Sequence, residues 1–440
     1  MNLVYKIQDK PKFPQLLIFA FQQVLAILAA TIVVPVIVGN NMSQSAALFG
    51  AGVGTLVYQL FTKFRSPVFL GSSFAFISSM VAAFAGAASA SAGFAGIILG
   101  AFLAGLVYVV IAIVVKLVGV NWINKLMPAV VIGPTVALIG LSLAGAAIKD
   151  VFSYGPQDAN GSFIMTTPIW ASLVCALVTL LVVIIVSTYG KKMFKLIPFI
   201  IGILAGYVVA AIFTLCGIPV IDFSVFENMQ VFAVPQFTFL EAMKGVQEID
   251  GAYIATVAVA YVPVAFVVFA EHIADHKNLS YIIGEDLLEN PGLHRTLLGD
   301  GIGSVAGAFF GGCPNTTYGE SVGCVAITRN ASVITITAAA IMCIVISFFG
   351  PFVAFLDSIP GCVMGGVCVT LYGFIAVSGL KMVQKVDLNQ NKNLFVVASI
   401  LIPGIGGMAM AIGKVTLTAI ACALILGILV NIVVSKAPEE

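Results

Sequence analysis

Long apolar runs follow one another through this chain, separated by only a few polar residues. The first, Leu16–Gly39, holds no charged side chain. A helix crosses a bilayer with roughly 20 such residues. Candidate spans are Leu16–Gly39, Ala46–Thr62, Pro67–Phe84, Gly93–Val118, Pro128–Ile148, Ile169–Ser187, Leu196–Leu215, Tyr253–Ala274, Leu297–Phe310, Thr317–Ile327, Ser332–Phe349, Gly361–Val377, Leu394–Gly407 and Val415–Val434. The chain is thus expected to be an all-α polytopic membrane protein of about fourteen segments. The third, ninth and tenth are short for a full crossing.

Composition agrees. Hydrophobic residues make up 60% and charged residues 9%, with a mean hydropathy of +1.12. Soluble domains carry about 25% charged residues. The largest basic cluster is Lys191-Lys192-Met193-Phe194-Lys195, too small for a nucleic-acid surface. The eight Cys lie scattered in apolar runs without metal-ligand spacing and read as buried thiols. The first run is too long for a signal-peptide core and is expected to be retained.

Charge sets the orientation. With a cytoplasmic N-terminus, all but three of the 20 Lys and Arg fall inside; Lys149, Lys244 and Lys414 fall outside. Lys125, Lys192 and Lys436 belong to the inside group. Both termini are therefore expected in the cytoplasm, and the protein in the cytoplasmic (inner) membrane. The sizeable loops are Cys216 to Gly251 outside and Asp275 to Thr296 inside, and neither is long enough for a soluble domain.

One stretch departs from the apolar pattern. Gly311-Gly312-Cys313-Pro314-Asn315-Thr316-Thr317-Tyr318-Gly319-Glu320 favours turning or extended chain, and a helix is expected to start near Glu320. The segment Pro67-Val68-Phe69-Leu70-Gly71-Ser72-Ser73-Phe74 resembles it, with one residue inserted between Pro and Gly in the later copy. The two are the third and tenth spans. Seven is odd, so the copies would run in opposite senses, as in an inverted-topology repeat whose broken segments hold the substrate site.

Acids at membrane depth cost about 2.5–3.5 kcal/mol on insertion scales and imply a role. Four of the 19 acids sit in or beside apolar spans: Glu271, Asp275, Asp300 and Glu320. Glu271 and Asp275 are four apart, on one helical face. Two ionised acids so placed repel, and one is expected to hold a proton near neutral pH. Alternatively, the helix ends there and both are solvated. Asp300, between two glycines, reads as a helix N-cap or part of a proton network. Glu320 reads as a site residue or a cap. Gln22 and Gln23 either line a site or join helices by hydrogen bonds. Ser72 and Ser73 are weak signals alone. His276 reads as a loop residue. Phosphate-binding, zinc and haem patterns are all missing from the sequence, so no ATP-driven step, cofactor or enzymatic activity is expected.

Glu320-Ser321-Val322-Gly323-Cys324-Val325-Ala326-Ile327-Thr328-Arg329 resembles the signature of the nucleobase-ascorbate transporter family: acid or amide, Asn, any residue, Gly, four residues, Thr, Arg. Leu70-Gly71-Ser72-Ser73-Phe74-Ala75-Phe76, Ala270-Glu271-His272-Ile273, Pro291-Gly292-Leu293-His294-Arg295 and Val363-Met364-Gly365-Gly366-Val367 agree. The resemblance covers nearly the whole chain, and the flanks of Glu320 are similar to the uracil permease branch.

The resemblance implies two inverted repeats of seven segments, with a short strand before a half-helix in segments 3 and 10. It implies a core domain (14–118 and 251–350), a gate domain (119–250 and 351–436), and a homodimer through the gate domain. It implies symport of nucleobase with protons, uracil being favoured and xanthine or another oxopurine the alternative. Glu271 and Glu320 would hydrogen-bond the base, backbone N–H groups at Phe74 and Gly319 would meet its carbonyl oxygens, and Tyr318, Ser73 and Ser321 would border it. Glu271, Asp275 and Asp300 would couple protons. Two residues depart from the branch pattern: Ser321 stands for its Asn, and Asp275, as in the purine-transporting branch, for its His.

Overall fold

The computed structural model describes residues 3–119, 128–191, 194–195, 197–227, 229–412 and 415–435. Lys125, Lys192, Met193, Lys414 and Lys436, which entered the cluster and orientation arguments, lie outside the described residues. The helices, in chain order, are α1 (Phe13–Val38), α2 (Gln44–Phe61), α3 (Ile77–Ala85), α4 (Ala90–Val118), α5 (Ala129–Ser142), α6 (Ala144–Val151), α7 (Thr167–Tyr189), α8 (Pro198–Leu215) and α9 (Thr238–Gly245). They continue with α10 (Gly251–Ile283), α11 (Leu293–Gly311), α12 (Gly319–Thr328), α13 (Val333–Ile346), α14 (Gly350–Asp357), α15 (Gly361–Val383), α16 (Asn391–Ile405) and α17 (Ala419–Val434). Strands β1 (Leu70–Ser72) and β2 (Asn315–Thr317) precede the helical stretches of the third and tenth candidate spans, and β3 (Met410–Ile412) and β4 (Val415–Leu417) form a separate hairpin. Among the described residues, seven helical stretches are long and apolar enough to cross a membrane. Four shorter apolar helices, one of them Phe74–Ala85, accompany them.

The breaks have local causes. Gly312 ends α11 in the left-handed region, at φ 73°, which a side chain would resist. Pro314 follows, with no N–H to continue a helix. The freed backbone must find partners, because irregular chain at membrane depth is tolerated only inside protein. β1 and β2 supply them by pairing antiparallel: Leu70 opposes Thr317, Gly71 opposes Thr316 and Ser72 opposes Asn315. All six strand residues are buried. Thr55 bonds both the N–H and the carbonyl of Leu70, and Asn315 Nδ2 donates to the Gly50 carbonyl at 2.9 Å.

A glycine row brings α2 against this crossing. Gly299, Gly303, Gly307 and Gly311 recur every four residues along one face of α11. A Cβ on Gly54 would lie 2.7 Å from the Gly303 carbonyl oxygen, and one on Gly50 would lie 2.6 Å from that of Gly307. Small residues of this kind let membrane helices approach backbone to backbone.

The packing divides into two groups. In one, α2 packs on α11 and α13, α4 on α10 and α11, and α1 on α13. In the other, α5 packs on α15 and α16, α15 on α7, α7 on α8, and α16 on α17. Many contacts recur with the halves exchanged: α4 on α11 matches α13 on α2, and α7 on α8 matches α16 on α17.

Three expectations need correction. The loop expected over Asp275 to Thr296 is short, because α10 continues to Ile283 and α11 begins at Leu293. His276 is therefore a helical residue, fully buried; its Nδ1 bonds the His272 carbonyl at 2.8 Å and its Nε2 meets the Tyr58 hydroxyl at 2.7 Å. A carbonyl can only accept, so Nδ1 carries the proton. Asp300 is not a helix N-cap, since it lies in the second turn and beyond of α11, whose first residue is Leu293.

The repeat also aligns differently in space. The antiparallel pairing centres on Gly71 and Thr316, so Ser73 corresponds to Tyr318 and Ala75 to Glu320. Ser73 and Tyr318 are both extended residues directly before a helical turn. The likeness of Gly71-Ser72 to Gly319-Glu320 is compositional.

Candidate substrate-binding site

The site forms where the two broken segments pass one another. Beyond β1, Phe74–Phe76 make a 3-10 turn that leads into α3; beyond β2, α12 starts at Gly319. The ladder extends by one bond at each strand's flank: Ser73 N–H donates to the Pro314 carbonyl at 2.9 Å and Tyr318 N–H to the Phe69 carbonyl at 3.3 Å. The first N–H groups of each helical turn have no acceptor within their own helix. The two ends thus bring free donors into one space.

That space is a cavity of about 460 Å3. One wall comes from the crossing: Ser73, Phe74, Ala75, Thr316, Thr317, Tyr318, Gly319 and Glu320. α10 adds Val267, Glu271, Ala274 and Asp275. Glu271 opens to the cavity, while Glu320 and Asp275 are half-buried. Glu271 is close enough to both Glu320 and Asp275 for their charges to interact. Asp275 Oδ2 accepts from Thr317 Oγ1 at 3.2 Å. The opposite wall is mainly apolar and comes from the other helix group: Val136 and Ile139 of α5, Phe199 of α8, and Leu371, Phe374, Ile375, Ser378 and Met382 of α15. Phe74 meets Tyr372 edge-on across the divide, with ring centres 6.4 Å apart.

Chemically, such a cavity suits a small, flat, neutral molecule. Carboxylates accept from N–H groups, and free helix-end N–H groups donate to carbonyl oxygens. Phe74 and Tyr318 offer aromatic surface. An anion would meet the field of three carboxyl groups.

The sequence-predicted residues divide into two sets. Glu271, Glu320, Asp275, Phe74, Gly319, Tyr318 and Ser73 come together at the cavity. Ser321, Gln23, Gln22, Ser72 and Asp300 are not in its wall. Ser321 is 0% exposed: its hydroxyl accepts from Gln23 Nε2 and from the Phe69 N–H, tying α1, α12 and the approach to β1 together. The Ser72 carbonyl accepts from the Tyr318 hydroxyl at 2.6 Å. Gln22 is half-buried on α1. Asp300 is buried behind α10, where its Oδ2 bonds His272 Nδ1 at 2.8 Å; His272 Nε2 reaches Thr296 Oγ1 at 2.9 Å.

Sequence reasoning missed Thr316, Thr317, Ala75 and the whole apolar wall. The threonines sit in the recognised stretch, but threonine is common where membrane helices meet and marks no site by itself. The wall residues carry no chemical signature, since apolar residues facing a cavity read like those facing lipid or protein.

Comparison with known proteins identifies the family and the fold. The family model Xan_ur_permease, described as permease family, matches residues 14–413. The uracil permease of Bacillus caldolyticus is 38% identical over 439 residues, spanning 99% of this chain and 96% of that protein. That of Bacillus subtilis (strain 168) is 38% identical, covering 96% and 93%. That of Escherichia coli (strain K12) is 34% identical, covering 96% and 92%. Among solved structures, the transmembrane domain of the cyanobacterium bicarbonate transporter BicA superposes with a TM-score of 0.67 at 16% identity, over 97% of this chain and 100% of that one. The murine Solute Carrier 26 family member A9 anion transporter gives 0.68 at 13%, over 97% and 69%. At such low identity these two show a shared fold alone. The full-length relatives and the matched model show that this chain is an integral membrane transporter, not an enzyme, and that it belongs to the xanthine/uracil permease family.

Proposed function

We propose that the protein imports uracil across the cytoplasmic membrane in symport with protons. The observation that carries this is the convergence of Glu271, Glu320 and two helix N-termini on one cavity with aromatic surface. Uracil's edge alternates N–H donors with carbonyl acceptors, and the wall offers both kinds of partner, carboxylates that accept and helix-end N–H groups that donate. The relatives named uracil permease support the choice of base.

In this reading the chain has fourteen segments in two inverted sevens. Residues 14–118 and 251–350 form a core domain, and 119–250 and 351–436 a gate domain; the two packing groups support that division. The cavity lies between them, so moving the core past the gate would expose the site to alternate sides. Protonation within the Glu271–Asp275 pair, with Asp300 behind it, would lower the cost of closing the loaded core against the apolar gate wall. Both termini would be cytoplasmic, and the gate domain would form a homodimer.

One observation favours a second reading: Asp275 stands where the uracil branch has His, as in the purine-transporting branch, so xanthine or another oxopurine is the runner-up. An anion is disfavoured by the carboxylates, whatever the fold's other users carry. The test is radiolabelled uracil uptake in cells lacking their own permease, challenged by 5-fluorouracil, thymine, hypoxanthine and xanthine. Uracil and 5-fluorouracil should compete. Strong competition by xanthine but not by pyrimidines would overturn the substrate.

A further inference from the structure

A second cavity, of about 240 Å3, opens between α2, α4 and α11, away from the substrate site. Lys116, His294 and Arg295 line it, with Phe61, Ala112, Ile113 and Leu298. The lining has no acid. Among the described residues, neither Lys116 nor Arg295 has an ion-pair partner; the pairs present are Lys244–Glu241 and His272–Asp300. Arg295 Nη1 donates to the Phe61 carbonyl at 3.3 Å, which holds the guanidinium at the rim with further N–H donors to offer. His294 lies within the field of both Arg295 and Lys116. Cations gathered this way repel unless an anion joins them.

The surroundings say what kind of anion. On α4, Phe102, Leu106, Val110, Ile113 and Leu117 are 53%, 48%, 52%, 52% and 77% exposed. Their spacing of three and four puts them on one helical face, a greasy ridge that runs to the cavity mouth at Ile113 and Lys116. A soluble phosphate would use the cations and leave the ridge idle. A phospholipid would use both, as basic pockets between membrane helices do for anionic headgroups.

We propose that this cavity binds the phosphate headgroup of an anionic phospholipid, with an acyl chain lying along the α4 ridge. The test is native mass spectrometry of the purified full chain with phosphatidylglycerol, phosphatidylcholine or glycerol 3-phosphate. Phosphatidylglycerol should be retained in preference to the other two. At about 1 kcal/mol per basic residue, Lys116→Gln should weaken its retention roughly fivefold and Lys116→Gln with Arg295→Gln roughly 30-fold. Lys116 is exposed at the end of α4, so its single variant serves if loss of the Arg295 contact disturbs folding. Unchanged retention by the variants, or equal retention of phosphatidylcholine, would overturn the headgroup site. Glycerol 3-phosphate binding as well as the lipid would overturn the lipid assignment.

Discussion

The Tyr318 hydroxyl donates to the Ser72 carbonyl at 2.6 Å, fastening the residue before one half-helix to the end of the opposite strand. The same ring lies over Gly71, where an added Cβ would sit 2.4 Å from Tyr318 Cε2. Tyr318→Phe removes one hydrogen bond, about 1 kcal/mol. Gly71→Ala drives a methyl into a buried ring, about 1–3 kcal/mol. We predict that Gly71→Ala lowers the unfolding temperature in detergent more than Tyr318→Phe does. Adding Tyr318→Ala should restore part of the Gly71→Ala loss, because contacting residues are not additive. Strictly additive losses would mean the ring is not the obstacle.

Ser321 makes a different prediction from that of a substrate ligand. Its hydroxyl accepts from Gln23 and from the Phe69 N–H in a fully buried place. Ser321→Ala leaves two buried donors unpaired, at about 1–3 kcal/mol each. Thermal stability should fall while the ranking of competing bases stays as in the parent. A changed ranking with unchanged stability would place Ser321 at the base after all.

These residues also show what the sequence could carry. The break at Gly311 to Glu320 was legible because Gly, Pro and Asn act locally, and the family motifs marked Glu271 and Glu320. The pairing of Leu70 with Thr317 spans most of the chain, and the sequence match that hinted at it had the wrong register. His276 looked like a loop residue beside acids and Lys277, and His272 carried no assigned role. Only the packed structure supplies Asp300, Thr296 and Tyr58 as their partners, which lets α10 run on through a polar stretch. The apolar wall of α5, α8 and α15 was legible as membrane helix but not as site.

The buried His272–Asp300 contact supports α10 just behind Glu271. His272 and Asp300 are 0% and 1% exposed, 2.8 Å apart. Removing one partner of a buried polar pair strands the other, at about 3–5 kcal/mol where charge is involved. Asp300→Ala should therefore destabilise strongly, and Asp300→Asn, which keeps an acceptor for His272 Nδ1, much less. A thermal-shift series in one detergent checks this. Equal losses for the two variants would show that the hydrogen bond is not what matters there.

The three cavity acids should separate when binding and coupling are measured apart. Glu271 and Glu320 are proposed to touch the base, so Glu271→Gln and Glu320→Gln replace a charge-assisted acceptor with an amide. A loss of about 1.5–3 kcal/mol corresponds to roughly 10- to 150-fold weaker uracil binding. Both uptake and exchange of preloaded uracil should collapse in these variants while insertion persists. Asp275 accepts from Thr317 and stands one turn from Glu271, and in the proposed function it tunes the Glu271 proton rather than gripping the base. Asp275→Asn should leave exchange largely intact, since exchange needs no net proton movement, yet lose accumulation driven by a proton gradient. Proteoliposomes with an imposed pH gradient, scored for accumulation and for exchange, read both quantities. Gradient-driven accumulation by Asp275→Asn at the parent's level would remove Asp275 from proton coupling, and near-normal uptake by both Glu variants would remove them from the site.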